Sequence, residues 1–242
     1  RRHWYFYTFF ILLIKKDIPF DIAIVNYNLR VQSNDEVSYA KELAKKYNKE
    51  IFILDTIIEN SSNFEKKARD IRYTFFEESI NKHSYETLIT AHQLNDKLEW
   101  FMMQLSKGAG LVELIGFNEF EHKENYQIYK PLLNITKDEL IIYLQKNSYK
   151  YFIDESNFDE KYKRNFFRHN FSNKFLEEFS PGIKKSFEYL QNDLNSMNIQ
   201  NEAMKKIDEL EIFLNQNDDN LNIRKIDLSL KKRGFFLSSA QR

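Results

Sequence analysis

Hydrophobic positions along this chain follow two periods that alternate. A continuous apolar run, "FDIAIVNY" (20–27), has the form of a strand buried on both faces. It is followed by 35–47, where Val37, Ala40, Leu43 and Ala44 share one helical face. "EIFILDT" (50–56) predicts a second strand, 62–82 a long charged helix, and "TLITA" (87–91) a third strand. From Asn95 a new stripe begins, with Leu98, Phe101, Met102 and Leu105 at helical spacing, stopped by Gly108 and Gly110. Strands alternating with helices predict an α/β domain: a parallel sheet with helices on both faces. Beyond Gly116 the pattern changes. "ITKDEL" (135–140) carries a capping box, Thr136 with Glu139, and a hydrophobic staple, Ile135 with Leu140. That helix is expected to end near Lys146. Residues 151–160 read as a polar turn, 166–178 as helix, and Pro181-Gly182 as a break. One long helix is expected over 183–215, and weak strand character over "NIRKIDLSL" (222–230). The resulting division is a domain over 1–182, a helical linker over 183–215 and a short segment over 216–242.

Composition adds limits. The 242 residues include 42% hydrophobic positions, enough for a core, and only 5 Gly and 3 Pro, too few for a loop-built chain. Lys+Arg and Asp+Glu are both 36, so net charge carries no polyanion signal, but local charge does. Residues 161–174, "KYKRNFFRHNFSNK", hold five Lys and Arg and no acid, a pattern suited to a phosphate backbone or to a solvated face. There is no cysteine, which excludes thiolate metal sites, disulfides and cysteine nucleophiles and agrees with a cytoplasmic protein. "WYFYTFFILLI" (4–14) is too short for a bilayer, which needs ~20 residues, and reads as a buried segment. No membrane association is expected. The chain starts with Arg, which reads as a fragment or a displaced start.

In open parallel sheets ligands bind beyond the carboxyl ends of the strands. Two polar clusters stand there: "NYNLR" (26–30) and His92 to Asp96. A helix start at Asn95 would aim free N–H groups at the same edge, where a carboxylate could hold a magnesium ion beside a phosphate. The structural alternative is equally simple: Asn95 caps the helix, Asp96 complements its dipole and His92 is a loop residue.

An ordered set of motifs then bears on the choice. "VNYNLR", "ARDIRY" (68–73), "TAHQLNDKLEWFMMQLSKGAGLVEL" (90–114), "KPLLNITKDEL" (130–140), "DESN" (154–157) and "RNFFRH" (164–169) resemble, in that order, the tRNA(Ile)-lysidine synthetases of the N-type ATP pyrophosphatase superfamily. The resemblance covers about 20–185 and implies an adenine nucleotide α-hydrolase-like fold followed by a helical subdomain and long helix. It implies a ligase that uses ATP and Mg²⁺ to attach L-lysine to the wobble cytidine of isoleucine tRNA through an adenylated base. Carried over by position, His92 and Asp96 would stand on the nucleotide side, Asp96 holding the metal. Asn26 and Arg30 would meet the nucleotide, although Tyr27 stands where His is usual and Asn28 where Gly is usual. Glu65, Arg69 and Arg72 would line the substrate cleft. Lys107, Gly108 and Gly110 resemble a basic Gly-x-Gly turn. Arg164, Asn165, Arg168 and His169 match the stretch whose arginines would meet nucleotide or tRNA phosphates, with Asp96, His92, Arg164 and Arg168 expected to be catalytic. A homodimer is the expected assembly, though nothing in the sequence fixes it.

One departure is large. The family's Ser-Gly-Gly-x-Asp-Ser loop falls, by counting back from "TFFILLI" (8–14), on "RRHWYF" (1–6), which has no Gly, Ser or Asp. Bulky side chains there would fill the space where backbone N–H groups approach pyrophosphate. A displaced start and a lost loop are both open, the second making the chain a non-catalytic tRNA binder. A tRNA thiolation enzyme of the same superfamily is disfavoured, because sulfur relay and cluster binding use cysteine.

Overall fold

In the computed structural model, residues 10–28, 31–58, 64–149, 163–197, 205–207 and 210–235 are described. "RRHWYF", Arg30 and "DESN" lie outside them. The order begins with α1 (10–15), β1 (Ile22–Asn26), α2 (Val31–Lys46), β2 (Ile51–Asp55), α3 (Phe64–His83), β3 (Thr87–Ile89) and α4 (Leu94–Leu105). It continues through α5 (Leu111–Leu114), β4 (Phe120–His122), β5 (Gln127–Tyr129), α6 (Lys137–Lys146) and α7 (Lys163–Phe167). A π-helical turn (Arg168–Ser172) then leads into α8 (Asn173–Ser196), β6 (Lys205–Ile207), β7 (Leu210–Ile212) and α9 (Asp219–Lys232).

β1 and β2 pair in parallel, with Asn26 opposite Asp55 at the carboxyl end. β3 pairs in parallel with β5, and β4 joins β5 antiparallel. The strands therefore form two hydrogen-bonded groups, β1–β2 and β3–β5–β4, with helices packed against both. Phe10 and Ile11 of α1, Leu43 and Ala44 of α2, and Leu140 and Leu144 of α6 bury against Ile22. Ile80 of α3 packs with Tyr126 and Ile128. A third cluster joins Leu94 and Leu98 of α4, Ile115, and Leu176, Phe187 and Leu194 of α8.

The capping box forms as read. Thr136 accepts the Glu139 N–H at 3.1 Å, and Glu139 accepts the Thr136 N–H at 2.7 Å. The break read at Pro181 is present as a kink: Phe179 leaves helical geometry (φ −121°, ψ 17°), and α8 is two helical pieces that meet there. Leu176 before the kink and Phe187 and Leu194 after it bury in one cluster, which ties the two pieces together. Two expectations are corrected. The helix expected over 183–215 ends at Ser196, and β6 and β7 lie within the range it was given. The tail read as strand is α9. Asp218 caps it by accepting the Leu221 N–H at 3.1 Å, and Leu221 and Leu228 bury one face against the third cluster.

Candidate functional site

α4 begins where β3 ends, and its first turn is tied in three directions. The Leu94 N–H donates to the Ile135 carbonyl at 3.0 Å. Asn95 accepts the Lys137 N–H at 2.9 Å and donates to Asn173 at 2.9 Å, joining the starts of α4, α6 and α8. The cap is Gln93, not Asn95. Asp96 accepts the Gln93 N–H at 3.1 Å through Oδ2.

Asp96 and Glu99 are both 1% exposed and lie one turn apart on α4. Two carboxylates in that position need compensation, and α7 with the π turn provides it. Arg164 pairs with Glu99 through Nε, and its terminal nitrogen lies 3.8 Å from Asp96 Oδ1. Arg168 reaches Glu99 Oε2 at 2.6 Å and Asp96 Oδ1 at 4.0 Å. Arg168 also donates to Asn165 at 3.3 Å. Two motifs some seventy residues apart thus close into one charged cluster. Glu99, not singled out as a site residue, holds it together; its place in "TAHxxxDxxE", one turn after Asp96, was the available signal.

The other expected residues distribute around this cluster. Asn26 is buried, its amide nitrogen 2.9 Å from Asp55 and 3.0 Å from Asn28 and Asn34. Asn28 takes φ +52°, the left-handed conformation that explains an Asn where the family has Gly. The Tyr27 hydroxyl donates to the Ala68 carbonyl at 2.5 Å and so pins the end of β1 to α3. On α3, the Arg69 guanidinium sits 4.4 Å and that of Arg72 5.8 Å from the Tyr73 ring centre. Burial draws the Arg72 guanidinium below its usual range. Tyr27 and Tyr73 oppose this, and the positive charges of Arg69 and Arg164 add to it, which puts α3 and α7 in one electropositive neighbourhood. Glu65 is half-buried at the start of α3, and His169 half-buried in the π turn.

His92 has Nδ1 2.8 Å from the Thr90 hydroxyl, and its ring meets Phe117 edge-on at 5.2 Å. Phe117 stacks on Trp100 at 6.1 Å, and Lys130 lies 5.4 Å over its ring. Lys130 is 3% exposed and donates to the Asn118 carbonyl at 3.0 Å and to Glu121 at 3.3 Å. Burial lowers its ammonium pKa despite Glu121. Lys130 opens the "KPLL" motif and was not singled out.

Lys107, Gly108 and Gly110 do not join the cluster. They follow the far end of α4, roughly 15 Å from Asp96 at 1.5 Å per residue. Gly108 takes φ +73°, and a Cβ on Gly110 would sit 3.0 Å from the Arg224 guanidinium of α9. Nor does Asp96 fit a metal ion as expected: Oδ1 faces two guanidiniums and Oδ2 is engaged by the helix cap. Among the described residues no group of three His, Asp or Glu side chains is placed to hold one.

The fold and the polar clusters at the strand ends define an α/β domain with a charged site beside its first strands. The PP-loop domain family matches residues 6–175. A tRNA(Ile)-lysidine synthase of Campylobacter jejuni is 46% identical over 96% of this chain and 70% of its own length. One of Helicobacter hepaticus is 40% identical over 96% of this chain and 63% of its own. The solved U34-tRNA thiolase NcsA from Methanococcus maripaludis, with its [4Fe-4S] cluster, shares the fold. Its TM-score is 0.60 at 18% identity, covering 96% of this chain and 78% of that one. The chain belongs to the tRNA(Ile)-lysidine synthase family.

Proposed function

We propose that this chain joins L-lysine to the wobble cytidine of isoleucine tRNA at the expense of ATP, supplied as its magnesium complex. The observation that carries the reading is the meeting of Asp96 and Glu99 with Arg164 and Arg168, in a chain 46% identical to a lysidine synthase over 233 residues. The C2 oxygen of the base attacks the α-phosphorus of ATP, and pyrophosphate leaves. The lysine amine then attacks C2, and AMP departs with the oxygen.

Negative charge builds on the phosphate oxygens in the first step, and fixed cations aimed there lower the barrier. Arg164 suits that role. A guanidinium has five N–H donors, its contacts engage Nε and one terminal nitrogen, and its side chain is 37% exposed. Arg168, 13% exposed, is the positioning partner that neutralises Glu99 from behind. Arg72, drawn from α3 toward the same neighbourhood, adds positive charge on the substrate side. Fold likeness to a thiolase does not move the reading toward sulfur transfer, since cluster ligation uses thiolates and this sequence has no cysteine.

The test is transfer of radiolabelled lysine to an isoleucine tRNA transcript, with pyrophosphate release measured in parallel. The chain is run beside a version given a Ser-Gly-Gly-x-Asp-Ser start. Lysine transfer by either version, lost when tRNA or ATP is omitted, supports the reading. Transfer only by the second assigns the deficit to residues 1–6. Absence of transfer by both, with tRNA still bound, replaces the ligase by a tRNA-binding protein.

A further inference from the structure

The carboxylates and the arginines of the charged cluster come from separate helices, and one side-chain bond joins those helices beside it. Asn95 is 4% exposed and directly precedes Asp96 on α4. Asn173 closes the π turn that Arg168 opens, its N–H donating to the Arg168 carbonyl. Between the two, Asn95 Nδ2 donates to Asn173 Oδ1 at 2.9 Å. The direction of that bond is fixed. A backbone N–H can only donate, so the Lys137 N–H, 2.9 Å away, takes the oxygen of Asn95 and turns its nitrogen to Asn173.

Magnitudes separate holding the helices together from aiming them. A hydrogen bond between neutral groups adds about 1 kcal/mol net. That is little beside the core in which Leu94 and Leu98 of α4 meet Leu176 of α8. Apolar burial is non-directional, however, and does not by itself set how one helix is turned on the other. A hydrogen bond is directional and does. The ion pairs are sensitive to that setting. Arg168 Nη2 lies 2.6 Å from Glu99 but 4.0 Å from Asp96, and Arg164 Nη2 lies 3.8 Å from Asp96. Misplacing a group in an active site by about 1 Å costs about a hundredfold in rate. We infer that Asn95 and Asn173 are positioning residues. Their bond sets the backbone of Arg168 against Asp96 and Glu99, and through that backbone the aim of Arg164. The catalytic consequence rests on the ligase reading proposed above.

The test compares the 242-residue chain with Asn173→Asp, Asn173→Leu and the pair Asn95→Asp with Asn173→Asp. Asp at 173 still accepts from Asn95. Leu has similar volume and no acceptor. The pair sets two acceptors face to face with little change of size. The first readout is the Nε–H NMR signal of Arg164, identified by its loss in Arg164→Lys and displaced by Glu99 from those of exposed arginines. It is expected to keep its place in Asn173→Asp and to move toward the exposed arginines in Asn173→Leu and in the pair. The second is lysine transfer: kcat is expected to fall about tenfold or more in the last two and stay within about twofold in Asn173→Asp, with KM for ATP and tRNA unchanged. An unmoved signal in Asn173→Leu overturns the proposal, as does an equal shift in Asn173→Asp. Unfolding of Asn173→Leu, seen by circular dichroism, would make the bond a support of the fold and also overturn it. If the signals respond as expected while the unaltered chain transfers no lysine, the ligase reading fails and the positioning of the arginines stands.

Discussion

Arg164 and Arg168 carry the same charge to the same two carboxylates, yet their surroundings give them different duties. Arg168 is largely enclosed and lies 2.6 Å from Glu99. Truncating it leaves a buried carboxylate short of a partner, which costs about 3 kcal/mol or more. Arg168→Ala is therefore expected to lower the urea midpoint markedly and lose activity through loss of structure. Arg164 is over a third exposed, so water can take its place beside Glu99 when it is truncated, and the cost is expected to be smaller than for Arg168. Arg164→Ala is expected to cut lysine transfer at least tenfold while the urea midpoint moves less than in Arg168→Ala. Equal destabilisation in the two variants would refute this division of labour. The motifs alone ranked the two arginines together, because a pattern of residue types carries no burial. Asn28 shows the reverse case. Its departure from the family's Gly is legible once φ +52° is known, since Asn tolerates that conformation better than other side chains with a Cβ. Asn28→Gly should leave the melting temperature nearly unchanged, whereas Asn28→Ala should lower it.

Among the elements, β1 to β3 and the helices between them were readable because their apolar faces are regular, whereas β4 to β7, three residues each, are too short to show a period. Val37, Ala40, Leu43 and Ala44 all bury as that face requires. The capping box of α6 was equally legible, being a local hydrogen-bond pattern. Thr136→Ala is expected to cost about 1 kcal/mol, checked by chemical denaturation. Burial would raise the Glu139 carboxyl, but Lys184 at 2.8 Å and the Thr136 N–H hold it below the usual range. Its contribution is therefore full above the ordinary carboxylate pKa and is lost as pH falls through the lowered value. The side chain is half exposed, so the acid-side loss is small, and Lys184→Ala should shrink it further. Pro181 marked the kink at Phe179, being a strong local breaker, while Leu176, Phe187 and Leu194 keep both pieces in one core. The tail was misread. In 222–230 the alternation of Ile226, Leu228 and Leu230 suggested a strand, while the Asp218 cap lay outside the window read.

At the scale of the molecule, α9 is fastened to the domain that carries the cluster. Leu221 and Leu228 enter the core shared by α4 and α8, and Lys231 pairs with Glu113 of α5. Removing 216–242 is expected to lower the melting temperature of everything before it, in a single transition rather than two. A separate early transition in the intact chain, seen by calorimetry, would show that α9 melts alone. No pattern in the sequence announces this docking, because Arg224 against Gly110 is a contact across more than a hundred positions. The π turn also has a consequence for how the gene can change. It is one surplus residue at the joint between the arginine-bearing α7 and the core-anchored α8. Deleting one residue from 169–172 would turn the five-residue turn back into a regular four-residue one and leave α7 facing as it does, because a π turn takes up one extra residue without rotating its flanks. Such a deletion changes length by one and composition hardly at all. Arg164 would still meet Glu99, so this joint is a place where the gene can lose a residue and keep the cluster.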